Sequence, residues 1–301
     1  MLYNKQQIFS QSRVTMATLG ISKDEFYRLL PIFSQCLQAY RLQLRPNRKR
    51  KIGGGRKGDL PEDEDKLLYI LMSLKLYPTY DALAVLCDHY RSKCGDSVKL
   101  LLPVLEMTLK RKLVLPKRRG NSLEEIFRQH PEIKDIFIDG TERRVQKPKN
   151  LKKRNKLYSG KKKATTRKIV VVSDEQKYIH YMSRTKSGRR HDKRIADKES
   201  IFSWIPPDVT VWTDTGFQGA KRQHDNTVMP VKATKNHPLT QEQKENNRMI
   251  SSIRVVSEHA IGGFKRFRAA TDIYRNKLPN LDDLMTEVAI GLWNYHLQQT
   301  G

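Results

Sequence analysis

An all-α N-terminal region followed by an α/β or α+β domain built on a mixed sheet is the architecture this sequence predicts, and two observations carry it. Up to about residue 120 the apolar residues recur at helical spacing. Beyond it, short β-branched runs appear, separated by turns and followed by two long amphipathic stretches. A third observation limits the setting: 58 Lys+Arg against 32 Asp+Glu give a formal charge of +26. That excess is too large for a neutral metabolic enzyme and points to a polyanionic partner. With 38% hydrophobic residues in 301, the chain carries enough apolar material for roughly two domains of ~100–200 residues each. It has no run of ~18 uncharged apolar residues, and its first residues lack the apolar core of a signal peptide, so a soluble, intracellular protein with no membrane partner is expected. Three cysteines (Cys36, Cys87, Cys94) are too few and too odd in number for a disulfide framework.

In chain order, residues 21–44 have helical spacing, and the basic, Gly-rich segment 45–58 is expected to be a linker. The stretch EDEDKLLYILMSLKLY places Leu67, Leu68, Ile70, Leu71 and Leu74 on one helical face, with acids at its positive end and Pro78 as its stop. Thr79 is positioned to cap a short helix, YDALAVLCDHY. A bend at Arg91, Ser92 and Lys93 then leads into SVKLLLPVLEMTLKRKL, which Pro103 is expected to kink or split. Two successive helices in a basic background resemble a helix-turn-helix over about 60–115, and an ordinary helical bundle fits the pattern equally well. Gly95 and Asp96 fit poorly at the start of a recognition helix.

Past residue 120, Ile136–Ile138 and Ile169–Val172 are predicted strands, the second forming a hairpin with YIHYMSR across a turn at 173–177. HDKRIADKESIFSWI is predicted helical; VTVWTD and TVMPV are the fourth and fifth strands. A long helix opens with Thr240 and Gln243 in capping-box spacing, and NLDDLMTEVAIGLWNYHL closes the chain as an amphipathic helix.

The positive charge is clustered. Residues 45–57 carry seven Lys/Arg, residues 110–119 carry six, and residues 143–168 carry thirteen with no acid among them. Any one such run is ordinarily a solvated loop. Three together supply phosphate neutralisation, with salt-dependent and sequence-independent affinity for nucleic acid.

Two acids share one context, an apolar strand running into Asp and then a turn: Asp139 in FIDGTE and Asp214 in VWTDTGF. Either alone is commonly a turn former. Together, at the carboxyl ends of adjacent strands, they would form a pair whose mutual repulsion, ~4 kcal/mol at ~4 Å and an effective dielectric of ~20, calls for a proton or a cation. Glu258 is the third candidate. It shares a helical face with Arg254, Gly262 and Lys265, where an Arg254–Glu258 surface pair is the plainer account. Gly262 and Gly263 suggest close approach of backbone to something. The Cys87, His89, Cys94 spacing lacks a fourth ligand and matches no common zinc pattern.

FIDGTE, VWTDTGFQG and RVVSEHAIGGFKRF resemble the three acidic motifs of DDE transposases with a ribonuclease-H-like catalytic domain, in particular the insertion-sequence-five group and the related Harbinger nucleases. The family's last helix carries Tyr-x-x-Arg-x-x-x-Glu-x-x-x-x-x-x-Lys. Arg254, Glu258 and Lys265 match it, whereas Ser251 stands in place of the Tyr. YSGKKKATTRK and GRRHD resemble segments lying between the family's first two acids. The likeness spans roughly residues 60–300.

The resemblance implies a ribonuclease-H-like mixed five-stranded sheet flanked by helices over 121–301, behind a helical DNA-binding region over 1–120. It implies that Asp139, Asp214 and Glu258 are catalytic and hold two Mg²⁺ ions, for which Mn²⁺ can substitute. DNA contacts would come from Arg254, Lys265, Lys161, Lys162, Lys163, Arg91 and Lys93. His191 and Asp192 would be auxiliary, either shaping the site or capping the following helix. The expected activity is cleavage and strand transfer on double-stranded DNA, comprising terminal inverted repeats and target, by a homodimer assembled on DNA in the nucleoid-associated cytoplasm. Two rivals stay open: a non-catalytic DNA-binding regulator derived from a transposase, and a structure-specific nuclease on the same fold.

Overall fold

The structure, a computed structural model, describes residues 4–47, 58–234 and 237–300. The expected basic linker at 45–58 lies mostly outside the described residues. The chain folds into two compact units. One comprises Met1–Leu115, Phe264–Asp272 and Leu278–Gly301, the other Pro116–Gly263 and Ile273–Lys277.

The first unit is helical. It begins with α1 (Lys5–Ser10), α2 (Ser12–Leu19) and α3 (Lys23–Leu44), the last opened by a capping box between Ser22 and Glu25. Next come α4 (Asp63–Leu76), α5 (Tyr80–Cys87) and α6 (Arg91–Arg111). Thr79 caps α5 as its sequence position predicts, its Oγ1 accepting from the Ala82 N–H at 3.2 Å. Helix α4 departs from the expected single apolar face: every residue from Asp65 to Leu74 is buried. Helices α2, α3 and α6 pack around it, so apolar residues occur on all its sides. Its buried polar groups are partnered: Asp65 with Lys5, Lys66 with Asp63, and the Ser73 hydroxyl donating to the Tyr69 carbonyl. The bend expected at Arg91–Lys93 is instead the first turn of α6, where Arg91 Nε lies 3.1 Å from Asp81 Oδ1. Pro103 does not split α6. Buried Leu101, Leu102, Val104 and Leu105 on either side hold the helix through the one backbone bond proline cannot make.

The second unit holds α7 (Ser122–Gln129), β1 (Asp135–Arg144), α8 (Leu151–Leu157), β2 (Tyr158–Ser159), β3 (Ala164–Asp174), β4 (Ile179–Met182), β5 (Lys186–Ser187), α9 (Asp192–Lys198), β6 (Thr210–Thr213), β7 (Thr227–Val228) and most of α10 (Gln241–Lys265). The strands form one mixed sheet in the order β2-β3-β1-β6-β7, with β4 and β5 also paired to β3. The five strands expected from the sequence are all present. The sheet is nevertheless seven-stranded, because β2 and β5, two residues each, are too short to show any alternation. β1 runs antiparallel to β3, with Ile138 opposite Val172, and parallel to β6. The expected hairpin is β3–β4, with Val172 opposite Tyr181. The helix expected over 191–205 stops at Lys198; Ser200 takes φ 51°, and a separate 3₁₀ turn covers Ile201–Trp204. One core of Ile136, Ile138, Val170, Val172 and Val211 with Ile195, Phe202 and Phe217 fixes β1, β3 and β6 beneath α9.

Helix α10 opens as predicted, with the Gln243 N–H donating to Thr240 Oγ1 at 3.2 Å and the Thr240 N–H to Gln243 Oε1 at 3.1 Å. Helices α11 (Arg268–Thr271) and α12 (Leu281–Thr300) belong to the first unit, although the sequence groups α12 with the strands. Within that unit α12 packs on α6, and buried Asn294 donates to the Val114 carbonyl at 2.9 Å.

Candidate active site

Parallel pairing of β1 with β6 sets Ile138 opposite Thr213, so each strand delivers its aspartate at the next residue. Asp214 ends β6 and caps a 3₁₀ turn, its Oδ1 accepting from the Gly216 N–H at 2.8 Å. Asp139 Oδ1 accepts from the Gly140 N–H at 2.7 Å. Burial first, and the Asp214 carboxylate second, push the Asp139 carboxyl from its ordinary 3.8 up to about 6, while the Arg254 guanidinium and the Gly140 N–H pull it the other way. Helix α10 thus brings Arg254 into the field of Asp139.

Asp192, in the first turn of α9, approaches both segments, the middle of β1 and the turn after β6. A Cβ placed on Gly140 would overlap Asp192 Oδ1 and stand 2.7 Å from its Cγ; one on Gly216 would stand 3.2 Å from Asp192 Oδ2 and 2.9 Å from Asp214 Oδ1. The strand end expected at each aspartate holds for Asp214 only: Asp139 and Gly140 lie inside β1, which continues to Arg144 opposite β3. Glycine follows each aspartate within two residues, where the Asp192 carboxylate occupies the space of a side chain. Burial raises the Asp192 carboxyl, Asp214 adds to the rise, and Lys168 opposes it. Lys168 Nζ lies 3.2 Å from Asp192 Oδ1, an ion-pair distance without hydrogen-bond alignment, and 3.2 Å from Glu142 Oε1. Burial works against the Glu142 charge, but hydroxyls of Thr166 and Ser159 and the Lys168 ammonium outweigh it and hold that carboxyl below its usual range.

The remaining predicted residues fall in several places. Glu258 is exposed on α10, one turn beyond Arg254. Lys265 ends α10 and belongs to the first unit. The close approach expected at Gly262 is not met, since a Cβ there would meet nothing within 4 Å. Lys161, Lys162 and Lys163 are exposed on the turn between β2 and β3. Arg91 and Lys93 are exposed in the first turn of α6. His191 occupies the position before α9 and makes no capping bond with its side chain.

Asp192, Asp214 and Glu142 line an open basin of about 990 Å³ whose walls include Lys161, Arg189, Arg190, Lys193 and Lys232. Cations around an acidic floor suit an anionic polymer whose phosphate approaches carboxylates only with a counter-cation present. Sequence reasoning missed Glu142 and Lys168 although both stand in quoted segments. Their signal is the cross-strand register that sets Glu142 opposite Lys168, which neither segment shows alone.

Residues 138–294, from the end of the first apolar run to the middle of α12, match a family described as DDE superfamily endonuclease. The chain belongs to that superfamily. The resemblance drawn from the three acidic motifs is therefore borne out. A curated relative of this DDE endonuclease, the probable transposase for insertion sequence element IS702 of Microchaete diplosiphon, is 28% identical over 236 residues, covering 78% of this chain and 80% of the relative. No solved structure matches.

The donors suit a hard divalent cation in type, being carboxylates held close enough for one to raise the other. They are not yet arranged as a complete ligand set: among the described residues, no group of three or more His, Cys, Asp or Glu side chains is placed to hold a metal ion. Among the described residues, no helix is long and apolar enough to cross a membrane.

Proposed function

We propose that this DDE endonuclease is a transposase that binds the terminal inverted repeats of its element and carries out metal-dependent strand cleavage and strand transfer on double-stranded DNA. The observation that supports it most is the pairing of β1 with β6, which sets the part-buried Asp139 beside Asp214, itself on the lining of a cation-walled basin. In this reading the sheet is ribonuclease-H-like, segment 121–301 carries the chemistry, and segment 1–120, including Arg91 and Lys93 on a helix-turn-helix-like pair, binds the element's ends. Two copies acting together would hold two ends.

Asp139 and Asp214 would hold Mg²⁺, with Glu258 completing the set when DNA engages the site. Glu258 stands about 6 Å along the helix axis from Arg254, which already acts on Asp139. Bound divalent ions supply charge neutralisation at the scissile phosphate and a more acidic attacking oxygen. The chain's own residues do the rest. Arg254 balances the carboxylates before DNA arrives, Lys161–Lys163 and Lys265 neutralise flanking phosphates, and His191 lines the entry to the basin.

The test is Mg²⁺-dependent nicking of duplexes carrying the element's ends, with wild type, Asp139→Asn and Glu258→Gln compared. Both variants are expected to bind DNA and lose nicking. Wild-type nicking by Glu258→Gln would remove that residue from the site. Binding without nicking by the wild type would favour a regulator, and hydrolysis without strand transfer a nuclease.

A further inference from the structure

Asp192 is held where electrostatics alone would not put it. Its carboxylate sits beside those of Asp214 and Asp139 and is raised by the first of these. What fixes it is a buried cation with three anchors. Lys168 Nζ donates to the Arg190 carbonyl at 3.1 Å and lies 3.2 Å from each of Glu142 Oε1 and Asp192 Oδ1. Glu142 is tied in turn by the Thr166 hydroxyl, which donates to its Oε2 at 2.6 Å. The Lys168 and Glu142 side chains are only 8% and 5% exposed. Glu142 alone neutralises Lys168, so Asp192 is not needed to satisfy a stranded lysine. The two glycines have given up their Cβ atoms to the Asp192 carboxylate, and each of those glycines follows an aspartate of the site by one or two residues.

We infer that Asp192 is a positioning residue of the acidic cluster: pinned by Lys168 between Gly140 of β1 and Gly216 of the turn after β6, it fixes the backbone that presents Asp139 and Asp214 and strengthens divalent-cation binding there. The inference rests on the reading of Asp139 and Asp214 as cation-holding carboxylates. Outer carboxylates that orient metal-holding groups are typically worth 10–100-fold in metal affinity. Gly140 and Asp192 should then act as one unit, because displacing the carboxylate and neutralising it remove the same support.

The experiment is Mn²⁺ titration of the full chain without DNA, followed by calorimetry and by the loss of the free-ion paramagnetic resonance signal. It uses wild type, Asp139→Asn, Asp192→Asn, Gly140→Ala and the Gly140→Ala/Asp192→Asn double variant, with folding checked by circular dichroism. Asp192→Asn, nearly the same shape, is expected to weaken Mn²⁺ by about tenfold or more, with the double variant no weaker than the worse single. If Gly140→Ala does not fold, Lys168→Gln replaces it in the cycle. Wild-type affinity in Asp192→Asn alongside weakened binding in Asp139→Asn would overturn this inference and leave the two-aspartate reading standing. Additive losses in the double variant would overturn it as well. Wild-type affinity in Asp139→Asn would overturn the reading beneath it.

Discussion

Asp139 is where the fold bears its clearest electrostatic cost. Burial and the Asp214 carboxylate raise its carboxyl from 3.8 to about 6, so the folded state holds the proton more tightly than the unfolded one. Below pH ~4 both states are protonated and the shift costs nothing. Between pH ~4 and ~6 the folded state loses stability as pH rises, and above that range the whole penalty is present, roughly 3 kcal/mol for a shift of about two units. In metal-free buffer Asp139→Asn is therefore expected to match wild type near pH 4 and exceed it by roughly 3 kcal/mol at pH 7, read from urea midpoints at both values. Mg²⁺ should narrow the gap at pH 7 by stabilising only the wild type. A difference independent of pH would mean that neither burial nor Asp214 raises the Asp139 carboxyl on folding. Both aspartates were legible in the sequence because each follows an apolar run. Asp214 does stand at a turn, whereas β1 continues past Asp139 to Arg144, since its polar second half finds its partners only across the sheet in β3. The placing of Asp192 was not, because it depends on α9 lying over two glycines that are remote from it in the chain.

Elements with a single strong period were the easiest to foresee, and those shaped by their surroundings were not. Helix α10 begins at its capping box, and β1, β3, β4, β6 and β7 lie at the predicted β-branched or alternating runs. The one-faced pattern expected for α4 fails because the helix has neighbours all round it. Helices α7 and α8, at eight and seven residues, span about two turns and give periodicity too little to work with. Helix α12 shows how packing overrides a sequence-level pattern. Its apolar stripe was visible, but Gly291 and Asn294 are also buried within it. A Cβ on Gly291 would stand 2.7 Å from Leu115 Cδ2 and 3.1 Å from Leu109 Cδ1, so the small residue is required where α12 meets the end of α6. Gly291→Val should cost about 1–3 kcal/mol by overpacking, which thermal denaturation would register as a melting point lower by roughly 2–10 °C. An unchanged melting point would show that the contact yields freely.

For the molecule as a whole, a formal charge of +26 overstates what DNA can use. Of the cations in the 143–168 run, Arg143 and Lys168 are buried, and Lys168 is committed to Glu142 and Asp192. Arg143 lies over the Tyr274 ring at 4.9 Å. Lys161, Lys162 and Lys163 are exposed on one turn, and Lys161 also lines the basin. Each phosphate neutralised contributes about 0.9 to the slope of log affinity against log salt. Replacing all three lysines with alanine should therefore flatten that slope by up to ~2.7 and weaken binding most at low salt. Fluorescence anisotropy on a duplex between about 50 and 200 mM KCl reads both quantities. Asp192→Asn, which touches the floor of the basin and not its rim, should leave the slope unchanged. If the triple variant keeps the wild-type slope, this turn does not follow the phosphate backbone, and the salt-dependent contacts must come from the other basic runs, at 45–57 or 110–119.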